Sequence, residues 1–250
     1  RGVLKHSRAF SDDGRWLTFH FHTSTASLLA ILEYAMVTGD TELVQFVDRC
    51  YQYGKTLGEP LVGFFPELVP GFDRSVLKPY QMYPDCETCE VADMVCLALK
   101  LTQAGAGDYW EDADRWVRNQ LVENQLTPDK LRTLLDNIYA RRLFDERPVQ
   151  AWESDDIVRC MGGFSAHAAA NDFGVMTPHP HGGVMTGHAC CTGNASRTLY
   201  WVWDSILTRK DSEVTVNLLL NRASPWLDVD SHLPNEGKAV LKIKEAPKVA

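Results

Sequence analysis

The sequence lacks any run of eighteen or more apolar residues; its longest apolar stretches, such as Leu28 to Val37 and Val91 to Leu101, are interrupted by polar side chains. A membrane-spanning helix needs about 20 predominantly apolar residues, so neither stretch reads as a span. Basic residues are also short. Lys and Arg number 25 against 33 Asp and Glu, a formal net charge of −8, and no segment gathers cations into a face that could neutralise phosphates. Nucleic acid and anionic membrane are therefore poor partners. Seven cysteines in 250 residues are an odd and dilute set, too few for a disulfide framework. No Met stands at position 1 and no apolar leader follows Arg1, so the expectation is an internal piece of a longer protein whose localisation is not encoded here. The remainder, 45% hydrophobic and 23% charged, suits one large globular domain or one domain plus part of another.

Periodicity divides the chain near residue 208. Apolar residues recur at helical spacing over Ala26 to Val37, Thr38-Gly39-Asp40 stops the pattern, and Thr41 to about Leu57 resumes it, which predicts a helical hairpin. Five prolines between Gly58 and Asp85 predict a long irregular loop, the kind that carries function. A second hairpin follows, with a helix from about Glu87 to Thr102 and another capped by Asp108; Thr127-Pro128 opens a further helix. Residues 144–188 have little periodicity, and Asn194 is expected to cap a helix reaching Leu207, a better reading of Asn194-Ala195-Ser196 than a glycosylation acceptor. Beyond Ser212 the period becomes two: Val214 to Leu220, Pro225 to Asp230 and Ala239 to Lys244 read as strands. The fold class expected is mainly α, with helical hairpins over residues 1–208 and the start of a β domain over 209–250.

Three groups of residues could carry chemistry. Cys86-Glu-Thr-Cys89 and His188-Ala-Cys190-Cys191 supply thiolate, imidazole and carboxylate donors that suit a tetrahedral zinc site, whereas Cys50, Cys96 and Cys160 read as small buried hydrophobes. The Cys-x-x-Cys pair also has a redox form, but that reading needs βαβ units the pattern does not offer. His179, His181 and His188 lie in a Gly-Pro loop and suit substrate contacts better than ligation. Glu67 and Asp73 lie among Phe64, Phe65, Phe72, Tyr80 and Tyr83, a composition suited to a sugar cleft where ring faces pack and a carboxyl group donates a proton.

Glu87-Thr88-Cys89 opening a helix, with Cys190-Cys191-x-x-Asn194 far downstream, resembles the zinc-dependent β-L-arabinofuranosidases of glycoside hydrolase family 127. His22-Thr-Ser-Thr-Ala with its following helix, Tyr109 to Asn119, and Val214 to Leu220 are similar to segments of that family in the same order, so the resemblance covers most of residues 20–222. It implies an (α/α)6 barrel, here an N-terminally incomplete toroid of hairpins, followed by β-sandwich material. It also implies zinc held by Glu87, Cys89, Cys190 and Cys191, Cys190 as the nucleophile that forms a glycosyl-cysteine, and a glycan substrate. His22 and Asp114 would touch the sugar, together with His188 of the Gly-Pro loop. The family's acid/base Glu precedes Glu-Thr-Cys; residues 70–83 contain no Glu here, and Glu67 and Asp73 are the nearest substitutes. The function expected is thus retaining hydrolysis of terminal furanosides. The alternative is a non-catalytic carbohydrate-binding scaffold with a structural zinc on Cys86, Cys89, Cys190 and Cys191.

Overall fold

A computed structural model of the 250-residue chain describes residues 9–69, 86–131, 161–165, 167–168, 178–179, 183–184 and 189–244. It is mainly helical, with short antiparallel strand pairs, and divides into two compact units, Arg1–Ser196 and Arg197–Ala250.

In the first unit, helices α1 (Phe21–Thr38) and α2 (Thr41–Lys55) form the expected hairpin. Gly39 closes α1 with φ +69°, a conformation that favours glycine, and the Asp40 carboxylate accepts the Leu43 N–H at 3.1 Å to start α2. Helix α1 starts five residues earlier than apolar periodicity suggests. Its cap is His20, whose ring accepts the Thr23 N–H, and its first turn is polar. The centre of the unit is α3 (Thr88–Gln103), in which every residue from Thr88 to Leu101 is buried. A helix buried on all sides needs neighbours on all sides, and α1, α2 and α4 (Trp110–Trp116) pack against it. Helix α4 begins at Trp110, with Tyr109 rather than Asp108 in the cap position, then loosens into a π-turn over Val117–Leu121 and a 3₁₀ turn over Val122–Asn124.

Fully buried Phe21, Tyr51, Phe65 and Trp116 link these elements, with ring centroids 5.4 Å apart for Phe21–Phe65 and 5.1 Å for Phe65–Trp116. Each such side chain contributes about 1.5–3 kcal/mol by leaving water. The polar tips stay paired: Trp16 Nε1 donates to the Cys50 carbonyl at 2.9 Å and Trp116 Nε1 to that of Pro60 at 2.7 Å. Strand β1 (Cys86–Glu87) pairs antiparallel with β2 (His167–Ala168), and β3 (Pro178–His179) with β4 (Gly183–Val184).

Helix α5 (Ala189–Ser205) has its first turns in the first unit and its remainder in the second. In the second unit β5 (Leu207–Lys210) and β6 (Glu213–Val216) form one hairpin, and β7 (Leu227–Ser231) and β8 (Ala239–Ile243) another. Residue 207, expected at a helix end, is the first of β5. The unit closes around Val202, Ile206, Leu218 and Val229. Arg222 lies 4.4 Å from the Trp203 ring centroid and donates to the carbonyls of Trp203 and Leu207.

Candidate metal centre

Two helix N-termini about a hundred residues apart in sequence bring four donors together. Strand β1 ends at Glu87, which precedes the first turn of α3, where Cys89 sits; the first turn of α5 supplies Cys190 and Cys191. The β1–β2 pairing and three further bonds fix the frame. Thr88 Oγ1 donates to the Ser165 carbonyl at 2.6 Å, Asn124 Nδ2 donates to Thr88 Oγ1 at 3.0 Å, and the Phe164 N–H reaches Thr192 Oγ1 at 3.1 Å. The donor atoms of Glu87, Cys89, Cys190 and Cys191 all lie within 4.8 Å of one another, a group that could hold a metal ion. Both helix dipoles point their positive ends at these groups, which favours anionic sulfur.

The distances suit tetrahedral coordination. Bond lengths of about 2.3 Å to sulfur and about 2.0–2.2 Å to oxygen require tetrahedron edges of about 3.8 Å between sulfurs and about 3.5 Å between sulfur and oxygen. The Sγ atoms of Cys89 and Cys191 are 3.5 Å apart and those of Cys190 and Cys191 3.9 Å; Glu87 Oε1 is 3.7 Å from Cys190 Sγ and 3.4 Å from Cys191 Sγ. The sulfurs are not bonded to each other: all four cysteines of the two paired motifs are free thiols. Cys86, buried, has its thiol directed to the Glu87 carbonyl at 3.7 Å and does not belong to the four-donor group.

Crowding sets the electrostatics. Burial, and then the charges of Cys89 and Glu87, push the Cys190 thiol up to about 11. Cys89 is raised by its hydrogen bond to Cys191 and by burial. At Cys191 the hydrogen bond from Cys89 pulls downward, but burial and the neighbouring acids outweigh it and the net shift is upward. Burial, with the mutual repulsion of their negative charges, thus favours the protonated form of the three thiols, and a divalent cation at their centre would reverse that balance. Cys190 is the exposed member of the four.

Around the donors lies a polar layer. Asp93, fully buried one turn beyond Cys89, accepts from His22 Nδ1 at 2.7 Å and Thr25 Oγ1 at 2.8 Å. The bond to Asp93, with a second to Cys89, raises the His22 ring to about 10. Asn194, expected to cap α5, instead lies one turn inside it and donates from Nδ2 to Cys89 Sγ at 3.2 Å. Two residues were not singled out by sequence. His20 faces the second Glu87 oxygen, with Nε2 3.6 Å from Oε2. Glu90 is fully buried, accepts the Glu87 N–H on Oε2 at 2.9 Å, leaves Oε1 without a partner, and has its carboxyl pushed well above the usual carboxylate range by burial and by the charges of Glu87 and Glu67. The spacing His20-x-His22 and the Glu87-x-x-Glu90 capping box were the available signals.

Glu67 is brought beside this layer, because its carbonyl accepts the Phe21 N–H at 2.9 Å at the start of α1. Asp114 is bound on α4 by Arg118, whose Nε lies 3.0 Å from each carboxylate oxygen, and is outside the four-donor group. Asp73 and His188 lie outside the described residues. Among the described residues no helix is long and apolar enough to cross a membrane. Searches of protein-family models, of curated proteins and of solved structures give no match to this chain.

Proposed function

We propose that the chain carries the zinc centre of a retaining glycoside hydrolase acting on terminal furanosides, β-L-arabinofuranosides first among them. The observation that carries this reading is a Glu-Cys-Cys-Cys donor group in which one sulfur, that of Cys190, is open to solvent. In this reading the hairpins α1–α2 and α3–α4 belong to an (α/α)6 barrel, and β5 to β8 open a β-sandwich. Glu87, Cys89, Cys190 and Cys191 hold the zinc. When bound, it supplies the charge that lets the thiols shed their protons at neutral pH.

The Cys190 sulfur attacks the anomeric carbon, forming a C–S bond as the bond to the leaving oxygen breaks, and a carboxylic acid protonates that oxygen. Water then attacks the same carbon, the C–S electrons return to sulfur, and the carboxylate takes the proton of the water. Glu67 is assigned the proton transfers because its backbone bond to Phe21 seats it at the start of α1; Asp73 is the alternative. His22, partly exposed beside Cys89, lines the sugar site, with Asp114 as a further contact by resemblance and His188 as one from its Gly-Pro loop.

The test uses the full chain loaded with zinc and an aryl β-L-arabinofuranoside. Turnover is expected, with a sugar adduct on Cys190 by mass spectrometry and loss of both in Cys190→Ser. Glu87→Ala should lose zinc and turnover while Cys86→Ser keeps both; the reverse pattern would establish the four-cysteine scaffold instead. A zinc-loaded chain that turns over no furanoside ends the hydrolase reading.

A further inference from the structure

The cap and first turn of α1 carry two imidazoles, His20 and His22, on either side of fully buried Phe21, and both are used in the same way. At His20, Nδ1 accepts the Thr23 N–H at 3.2 Å, so Nδ1 carries no proton and the ring N–H sits on Nε2. That atom faces Glu87 Oε2 at 3.6 Å, on the opposite side of the carboxylate from Oε1, which is the oxygen directed at Cys190 and Cys191. At His22, Nδ1 is taken by the buried Asp93 carboxylate at 2.7 Å, and Asp93 is itself fixed by Thr25. Asp93 and Cys89 lie one turn apart on the same face of α3, so a ring tied to Asp93 through Nδ1 has Nε2 as the nitrogen left to act on Cys89. Each ring thus anchors to the scaffold through Nδ1 and turns Nε2 to a donor residue, the arrangement by which outer groups orient metal ligands.

We infer that His20 and His22 are positioning residues of the metal centre, His20 holding the outer oxygen of Glu87 so that Oε1 points inward, and His22 with Asp93 holding the sulfur of Cys89. This rests on the metal-centre reading above, but not on the hydrolase chemistry. It gives the His-Phe-His turn a task in addition to any contact His22 makes with the sugar. Asn194 of α5 adds a further bond to the Cys89 sulfur, at 3.2 Å.

Asparagine and glutamine separate the two ends of each ring, since an Asn amide reaches about where Nδ1 lies and a Gln amide about where Nε2 lies. His20→Asn keeps a good helix cap and loses the Glu87 contact; His22→Asn keeps the Asp93 tie and loses Cys89. The Gln variants do the opposite. Zinc affinity of the full chain, by competition with a chromophoric chelator, should fall about 10- to 100-fold in each Asn variant and stay near the parent in each Gln variant. Unfolding temperatures of the zinc-free proteins should show the reverse order, with the Gln variants lowered and the Asn variants unchanged. The cobalt-substituted proteins add a second readout, because a displaced Cys89 sulfur shifts the thiolate-to-cobalt absorption in His22→Asn and not in His22→Gln.

Asn variants that match the parent in affinity, or Asn and Gln variants that fall equally, overturn the inference while leaving the metal centre standing. A parent chain that binds no zinc overturns the metal centre and this inference together.

Discussion

Zinc binding to Glu87, Cys89, Cys190 and Cys191 should tighten about a thousandfold for each unit of pH through the neutral range. The magnitude follows from the state of the sulfurs. Cys190 is pushed up to about 11, and Cys89 and Cys191 are also raised above the ordinary thiol range. All three therefore hold protons at neutral pH before zinc binds, and each must release its proton to bind as thiolate. Three protons released give a slope of three in the logarithm of affinity against pH. The sign is fixed by the direction of the shifts: affinity is lost as pH falls and continues to rise until pH approaches the raised thiol values. Competition against a chelator of known protonation behaviour measures the slope over about pH 6 to 8, and calorimetry in two buffers of different protonation heat counts the protons directly. Cys89→Ser should reduce the count from three to two. A slope of one or less, or a slope unchanged by Cys89→Ser, would show that these three thiols do not bind the metal together.

Three further outcomes test the frame and the chemistry. Gly54→Ala places a Cβ 2.7 Å from Trp16 Cζ2 inside a packed ring cluster, and should lower stability to urea by about 1–3 kcal/mol; an unchanged midpoint would show that the ring yields without cost. Asp112 accepts from Tyr51 Oη at 2.8 Å and pairs with Lys55, so Asp112→Ala leaves both partners with a lost acceptor and should cost about 3–5 kcal/mol, against about 1 kcal/mol for Tyr51→Phe. Equal losses in the two variants would remove the charge from that account. Glu67→Gln should slow furanosides with poor leaving groups far more than activated aryl furanosides, which need no proton on departure; equal slowing would take Glu67 out of the acid role.

The parts of the fold that sequence anticipates are those fixed by neighbouring residues. The turn between α1 and α2 is written in Thr38-Gly39-Asp40, where one residue must take positive φ and the next must cap a helix, and both do so. Strands β6, β7 and β8 fall within stretches whose strand-like pattern is carried within a few residues, whereas β5, expected as the end of a helix and a turn, is not read from the sequence. Helix starts set by distant partners are displaced. Histidine is an uncommon cap, and the polar turn His20 to Thr25 gives no apolar period, so α1 reads five residues short. Thr192-Gly193 resembles a helix breaker, yet Phe164 bonds Thr192 from another segment and α5 runs on through both residues from Ala189. The π-turn after α4 leaves no mark in a pattern that is apolar at helical spacing throughout.

The site shows the same division, and its donor set follows from backbone geometry. Cys86 and Glu87 are consecutive on a strand, so their side chains take opposite faces, and the residue two beyond Cys86 in sequence opens α3. The side that receives Cys89 therefore takes Glu87 and not Cys86, although the Cys-x-x-Cys spacing makes Cys86 the more obvious partner. On α5 the logic is rotational: adjacent residues in a helix point about 100° apart, so Cys190 and Cys191 cannot share one environment. Cys191 turns into the protein and is fully buried, while Cys190 remains exposed at the same cluster. In a metal centre built on these donors a buried sulfur could serve only as a ligand, whereas an exposed one could also meet a substrate. The adjacent cysteines are thus what converts a four-donor site into one with an accessible sulfur, and for that reason Cys190 is the residue on which the proposed chemistry depends.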